Sequence, residues 1–168
     1  VTIEQKGKEH TYTPDSQELQ NDSLLLDGGT DGIAIPSIER AQNPPVYYGT
    51  LEIKKTAQGL LIINELSLEA YLEAVVPSEM PASYEEQALM AQAVCARTYA
   101  VCQIQENSLE KYGVDVDDSV NYQVYNNFGA DKRTNKAVQD TKGQILCQNG
   151  EPITAYYFST SAGRTSTD

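Results

Sequence analysis

Much of the usual enzymatic toolkit is scarce in this chain. Among 168 residues there is one histidine, three cysteines, two phenylalanines and no tryptophan. The single histidine, His10, lies in a polar N-terminal stretch. Ser-His-Asp and Cys-His machinery within the chain is thereby set aside, because both need an imidazole to take the nucleophile's proton. Three cysteines cannot make a four-cysteine zinc site, and nothing has zinc-finger spacing. Cys95, Cys102 and Cys147 are odd in number, form no disulfide framework and leave the compartment open. Positive charge is short as well: 12 Lys and Arg against 24 Asp and Glu leave a net −12. That balance argues against a nucleic-acid backbone as partner but not against an uncharged sugar. No apolar run is long enough for a signal peptide or a membrane span. The chain opens on Val1 rather than Met, and it is expected to be a processed or trimmed form with room for an anchor upstream. Any chemistry must come from carboxylates, hydroxyls, Lys or Arg.

What is present reads as an α+β fold. The length suits one domain that buries about two-thirds of its unfolded surface. Residues 1–45 are a polar extension, either separate or part of the fold, punctuated by Asn21-Asp22-Ser23, Asp27-Gly28-Gly29, Asp31-Gly32 and Pro44-Pro45. Its short apolar pieces, Leu24 to Leu26 and Ile33 to Ile38, suit edge strands. Residues 46–64 alternate and turn as a hairpin. Ser67 can cap a helix carrying Leu68, Tyr71, Leu72 and Val75, which Pro77 should end. Ser83 and Glu86 have capping-box spacing for a long helix reaching about Gln105, with a small face of Ala88, Ala91, Cys95 and Cys102. Asp131 to Thr141 is helix-compatible. Gln144 to Gln148 and Pro152 to Ser159 read as strands around Asn149-Gly150, the strongest hairpin signal in the chain. N- and C-terminal β-hairpins thus flank a central helical segment with one long helix.

Three places stand out for chemistry. Glu79 is a lone carboxylate among Val75, Val76, Pro77, Met80 and Pro81, between two helices. Burial disfavours the charged form of a carboxyl, which suits a general acid if the connection lines a cleft; the alternative is a solvated loop glutamate. Arg97, on a mostly apolar helix, needs a carboxylate or sugar hydroxyls if buried, and is otherwise a surface cation. Ser159, Thr160 and Ser161, with Ala162 and Gly163, follow Tyr156-Tyr157-Phe158 and can bond a polyhydroxylated ligand or simply form a polar loop. Eleven tyrosines suit either sugar-holding surfaces or an ordinary core. Cys95 and Cys102, seven apart, read as small core residues.

Leu68-Glu69-Ala70-Tyr71-Leu72-Glu73-Ala74-Val75-Val76-Pro77-Ser78-Glu79-Met80-Pro81 resembles the core of the stage II sporulation protein D (SpoIID) family, which includes LytB-type amidase enhancers. So do Glu86 to Tyr99, the hairpin leading to Ile63-Asn64-Glu65, Gln123-Val124-Tyr125, and Tyr157 to Thr165. The resemblance spans roughly residues 46–168, taken as a SpoIID-like domain. Relatives continue past the hydroxyl motif, so the domain is expected to be truncated at its C-terminus.

The resemblance implies a lytic transglycosylase that cuts peptidoglycan glycan strands during spore engulfment, with the Ser-Glu-Met-Pro glutamate, Glu79, as catalytic residue. Arg97, Gln123, Tyr125, Ser159, Thr160 and Ser161 are assigned to substrate binding. It also implies an extracytoplasmic protein, anchored to the membrane only through a segment upstream of Val1, and an amidase partner of the SpoIIP type. No cofactor and no metal are expected; where relatives often carry a histidine before the Ser-Thr-Ser run, Phe158 stands. An ordinary glycosidase needs two carboxylates. A lytic transglycosylase manages with one, because the muramic acid C6 hydroxyl attacks from within the substrate. The alternative is a non-catalytic glycan-binding module that stimulates an amidase. A hydrolase would need a second carboxylate, for which Glu73 and Asp131 are the candidates.

Overall fold

The computed structural model describes residues 1–5, 8–13, 15–21, 23–38, 44–119, 121–127 and 131–163. It has two compact units, Val1–Ser67 and Leu68–Asp168. Among the described residues no helix is long and apolar enough to cross a membrane.

The first unit is mostly antiparallel sheet. Strands β1 (Thr2–Gln5) and β2 (Lys8–Thr11) pair with each other, and α1 (Gln17–Asn21) follows. Then come β3 (Ser23–Asp27), β4 (Ile33–Ala34), β5 (Val46–Tyr47), β6 (Thr50–Thr56) and β7 (Gly59–Glu65). The hairpin expected over 46–64 is β6–β7, and β3 joins it in the order β3-β6-β7. The period of two in β6 buries Leu51 and Ile53, while Glu52 between them accepts from the Ser23 hydroxyl at 2.6 Å. Leu19, Leu24 and Ile53 form a core that Val1, Ile3, Tyr12 and Leu26 pack against. Gly49, with φ of 77°, directly precedes β6, and a Cβ there would sit 2.3 Å from the Glu65 carbonyl oxygen, so no side chain fits. The Asn64 amide donates to the carbonyls of Tyr48 at 2.8 Å and Thr50 at 3.2 Å, pinning the chain on both sides of that glycine. Of the turn Asn21-Asp22-Ser23, Asp22 lies outside the described residues.

The second unit is helical with a small hairpin: α2 (Leu68–Glu79), α3 (Glu86–Glu106), a 3₁₀ turn (Glu110–Tyr112), α4 (Lys132–Asp140), β8 (Cys147–Gln148) and β9 (Glu151–Pro152). Leu72, Val75 and Val76 of α2, Leu89, Ala93 and Ala96 of α3, and Ala137 and Val138 of α4 are fully buried. The mixed α+β architecture and the single long helix are as the sequence suggests.

Four local expectations are revised. Helix α2 does not stop at Pro77 but runs through it to Glu79. Proline deprives only the Glu73 carbonyl of a helix bond, and its fixed φ is already helical. The Met80 N–H still reaches the Val76 carbonyl at 2.9 Å, and the Ser78 hydroxyl donates to the Ala74 carbonyl at 2.7 Å. The Ser83–Glu86 capping box does not form. Tyr84 N–H closes a turn onto the Pro81 carbonyl, so α3 starts after Glu85, whose side chain makes no cap bond. The buried residues of α3 are Leu89, Gln92, Ala93, Ala96, Arg97, Thr98, Ala100, Cys102 and Gln103; of the expected small face Cys102 is buried, Ala88 and Cys95 are half-buried and Ala91 is exposed. Four of those residues, Gln92, Arg97, Thr98 and Gln103, are polar, so the pattern of small apolar positions finds only part of the buried face. Finally, β8 and β9 have two residues each. Asn149 and Gly150, at φ of 55° and 89°, make the expected turn. After it the chain leaves β8 for α3, where the Cys102 thiol donates to the Ile153 carbonyl at 3.2 Å.

Candidate active site

The three helices are bolted together from inside by Arg97, which is 1% exposed. Its Nε and Nη2 donate to the two Glu69 oxygens at 2.9 and 2.7 Å. Its remaining donors reach the carbonyls of Val138 (3.0 Å) and Gln144 (3.2 Å) and the Thr141 hydroxyl (3.4 Å). A planar guanidinium suits this fork geometry, which lysine does not. Partial burial disfavours the Glu69 anion, but the Arg97 bonds and charge outweigh that and hold its carboxyl below the usual range. Glu73 is likewise engaged, accepting from the side chains of Asn135 at 3.1 Å and Gln139 at 2.7 Å, while Asp131 caps α4 through the N–H groups of Arg133 and Thr134.

The end of α2 carries the Ser78-Glu79 pair, and both side chains grip one segment, residues 123–126. Val124 N–H donates to Glu79 Oε1 at 2.8 Å, and Asn126 N–H to the Ser78 hydroxyl at 3.1 Å. Gln123 and Tyr125, which alternate with these two residues, turn the other way, into the protein, where they are 1% and 8% exposed. The Tyr125 ring stacks on Tyr71 at 5.4 Å between centroids.

Gln123 is the centre of a bonded chain. Its Nε2 donates to the Ala96 carbonyl at 3.2 Å and to the Tyr157 hydroxyl at 2.9 Å, and its Oε1 accepts from the Tyr71 hydroxyl at 3.3 Å. The Tyr157 hydroxyl in turn lies near enough to Glu79 to feel its charge, and the two residues line one cleft. Burial first, and then the negative charge of Glu79, push the Tyr157 phenol well above its ordinary range despite the opposing Gln123 bond. Burial does the same to Tyr71.

Glu79 opens onto a cleft of ≈ 300 Å³, lined also by Tyr99, Asn121, Tyr122, Val124, Tyr156 and Tyr157. Among these lining residues Glu79 is the one carboxylate. The Tyr99 and Tyr156 rings lie 6.0 Å apart, tilted by 55°. Tyr156 is 79% exposed, an amphipathic face left for a ligand to cover.

Of the residues singled out from sequence, Glu79 therefore lies on the cleft. Gln123 and Tyr125 sit directly behind it. Arg97 is interior, held by Glu69 and backbone carbonyls. Ser159, Thr160 and Ser161 are exposed and are not among the lining residues; the Ser161 hydroxyl accepts from Gly163 N–H at 3.2 Å. Arg164 and Thr165, which close the hydroxyl motif, lie outside the described residues. Sequence reasoning did not single out Tyr71, Tyr99, Asn121, Tyr122 and Val124. The signal that could have found most of them was the excess of tyrosine over phenylalanine.

Comparison with known proteins matches the chain to one family. The family description "Stage II sporulation protein" (SpoIID) matches residues 56–147, just over half of the chain. The amidase enhancer of Bacillus subtilis (strain 168) is 41% identical over 176 residues, covering 88% of this chain and 24% of that protein. Stage II sporulation protein D of the same organism is 39% identical over 117 residues, covering 61% of this chain and 34% of the relative. An uncharacterised protein of Brachyspira hyodysenteriae is 36% identical over 138 residues, 80% of this chain and 35% of its own length. The chain thus spans about a quarter to a third of the length of these curated relatives.

Proposed function

Because the chain belongs to the stage II sporulation protein D (SpoIID) family, we propose that it acts on the cell wall as a lytic transglycosylase, with Glu79 as both acid and base. The observation that carries this reading is the cleft: a single carboxylate, walled by tyrosines that include Tyr157, with the Val124 N–H donating to it. Glu79, protonated, gives its proton to the glycosidic oxygen as the anomeric C–O bond breaks. The C6 hydroxyl of the muramic acid residue then bonds to the anomeric carbon and passes its proton back to Glu79. The product is a 1,6-anhydromuramoyl end, and no second carboxylate is needed. The engagement of Glu73 and Asp131 in bonds to α4 supports this over hydrolysis, which would require one of them beside Glu79.

The glycan strand is the substrate in this reading, held against Tyr99, Tyr122 and Tyr156. The site of action is extracytoplasmic, with membrane attachment through a segment outside Val1–Asp168 and a SpoIIP-like amidase as partner. The experiment is mass spectrometry of peptide-free glycan strands incubated with the chain. Wild type should release anhydromuramoyl products and Glu79→Gln should release none; equal release by both would overturn the assignment. The likeness to an amidase enhancer favours a second reading, a glycan-binding module that stimulates an amidase. It requires stimulation that survives Glu79→Gln and no cleavage by the chain alone.

A further inference from the structure

The direction of every bond in the chain from Ala96 to Tyr157 follows from one acceptor. A carbonyl oxygen can only accept, so the Gln123 amide must present its nitrogen to Ala96. Its oxygen then faces the Tyr71 hydroxyl, which donates to it. The second amide hydrogen goes to the Tyr157 oxygen. With one lone pair of that oxygen taken, the Tyr157 hydrogen is free to turn toward Glu79, which lines the same cleft. Flipping the amide would set two oxygens against each other at Ala96 and leave the buried Tyr71 hydroxyl facing a donor, so one orientation is selected. Gln123 is 1% exposed, which also keeps water from substituting for any of these partners.

We propose that Gln123 is a positioning residue that commits the Tyr157 hydroxyl to donate to Glu79, and that this donation stabilises the carboxylate formed once Glu79 has protonated the leaving oxygen. The inference rests on the transglycosylase reading and deepens it. Charge on Glu79 grows as its proton moves to the sugar, so a donor already aimed at the carboxylate acts on the transition state more than on bound substrate. No covalent step is added: Tyr157 keeps its proton throughout, and Glu79 alone gives and regains one.

The near-isosteric substitution Gln123→Glu reverses the polarity. An ionised carboxylate there draws the Tyr157 proton toward itself and away from Glu79. The expected result with glycan strands is a fall in kcat of about tenfold or more, with KM within about twofold of wild type. The deficit relative to wild type should shrink as pH falls through the carboxyl range, because the neutral acid regains a donor. Tyr157→Phe should lose kcat similarly, with no such recovery. A purely structural role for Gln123 predicts a loss that does not depend on pH. That result, or Gln123→Glu following wild type in kcat at every pH, overturns the proposal. If Gln123→Glu does not fold, Tyr157→Phe decides: wild-type kcat overturns the proposal and a lowered kcat at unchanged KM supports it. Absence of anhydro products from wild type, or their release by Glu79→Gln, overturns the transglycosylase reading itself and is distinguishable from both.

Discussion

Arg97 and Glu69 face each other as a fork, Nε to Oε1 at 2.9 Å and Nη2 to Oε2 at 2.7 Å, with the arginine 1% exposed. The pair joins α3 to α2, and the same guanidinium reaches the end of α4. Removing one partner of such a pair leaves the other charge and several carbonyls unsatisfied. Arg97→Ala should therefore cost about 3–5 kcal/mol in urea unfolding. Arg97→Lys should also destabilise, since an ammonium cannot fill both prongs.

Acid should act through the same pair. The Glu69 carboxyl is held below its ordinary value of 4.5. Its contribution is thus complete above the unfolded value and is lost as pH falls through the lower, folded one. The wild-type melting temperature should drop on acidification below pH 4.5. Glu69→Gln, less stable at neutral pH, should lose less over the same interval. Parallel melting curves for the two proteins below that pH would count against the assignment.

Ser78 is a small residue with two jobs, donating to Ala74 and accepting from Asn126. Ser78→Ala strands the Asn126 N–H and should cost about 1–2 kcal/mol. The local sign is amide hydrogen exchange: the Asn126 amide should exchange faster, while Ser78→Thr keeps an acceptor and much of the protection.

Tyr156 is 79% exposed beside the Tyr99 ring. Exposed truncations cost little stability, so Tyr156→Ala should leave unfolding within about 0.5 kcal/mol of wild type. If the tyrosine wall holds the sugar, KM for glycan strands should rise about tenfold, the equivalent of about 1.4 kcal/mol. An unchanged KM would remove Tyr156 from the binding surface.

How much of this was legible depended on what each feature rests on. Helices α2 and α3, the β6–β7 pair and the Asn149-Gly150 turn follow from local pattern and turn chemistry, and all appear. The buried face of α3 was found only in part because Gln92, Arg97, Thr98 and Gln103 are buried polar residues, and a pattern of apolar positions counts them as surface. Glu79 stood out by its apolar neighbours and by its motif. Its partners did not, because Val124 lies 45 residues away along the chain, and a backbone N–H has no signature in the side-chain sequence. Gln123 and Tyr125 were legible as important but not as interior. Their alternation with Val124 and Asn126 emerges only once Ser78 and Glu79 hold the segment.

That grip makes Glu79 a rivet as well as a reagent. The oxygen that accepts from Val124 anchors the floor of the cleft, so deleting the side chain would loosen the very surface on which a sugar is to be judged. Glu79→Ala would mix a missing proton with a sagging floor. Glu79→Gln keeps an oxygen for Val124 and removes the titrating acid, which makes the amide, and not the methyl group, the informative replacement at this position.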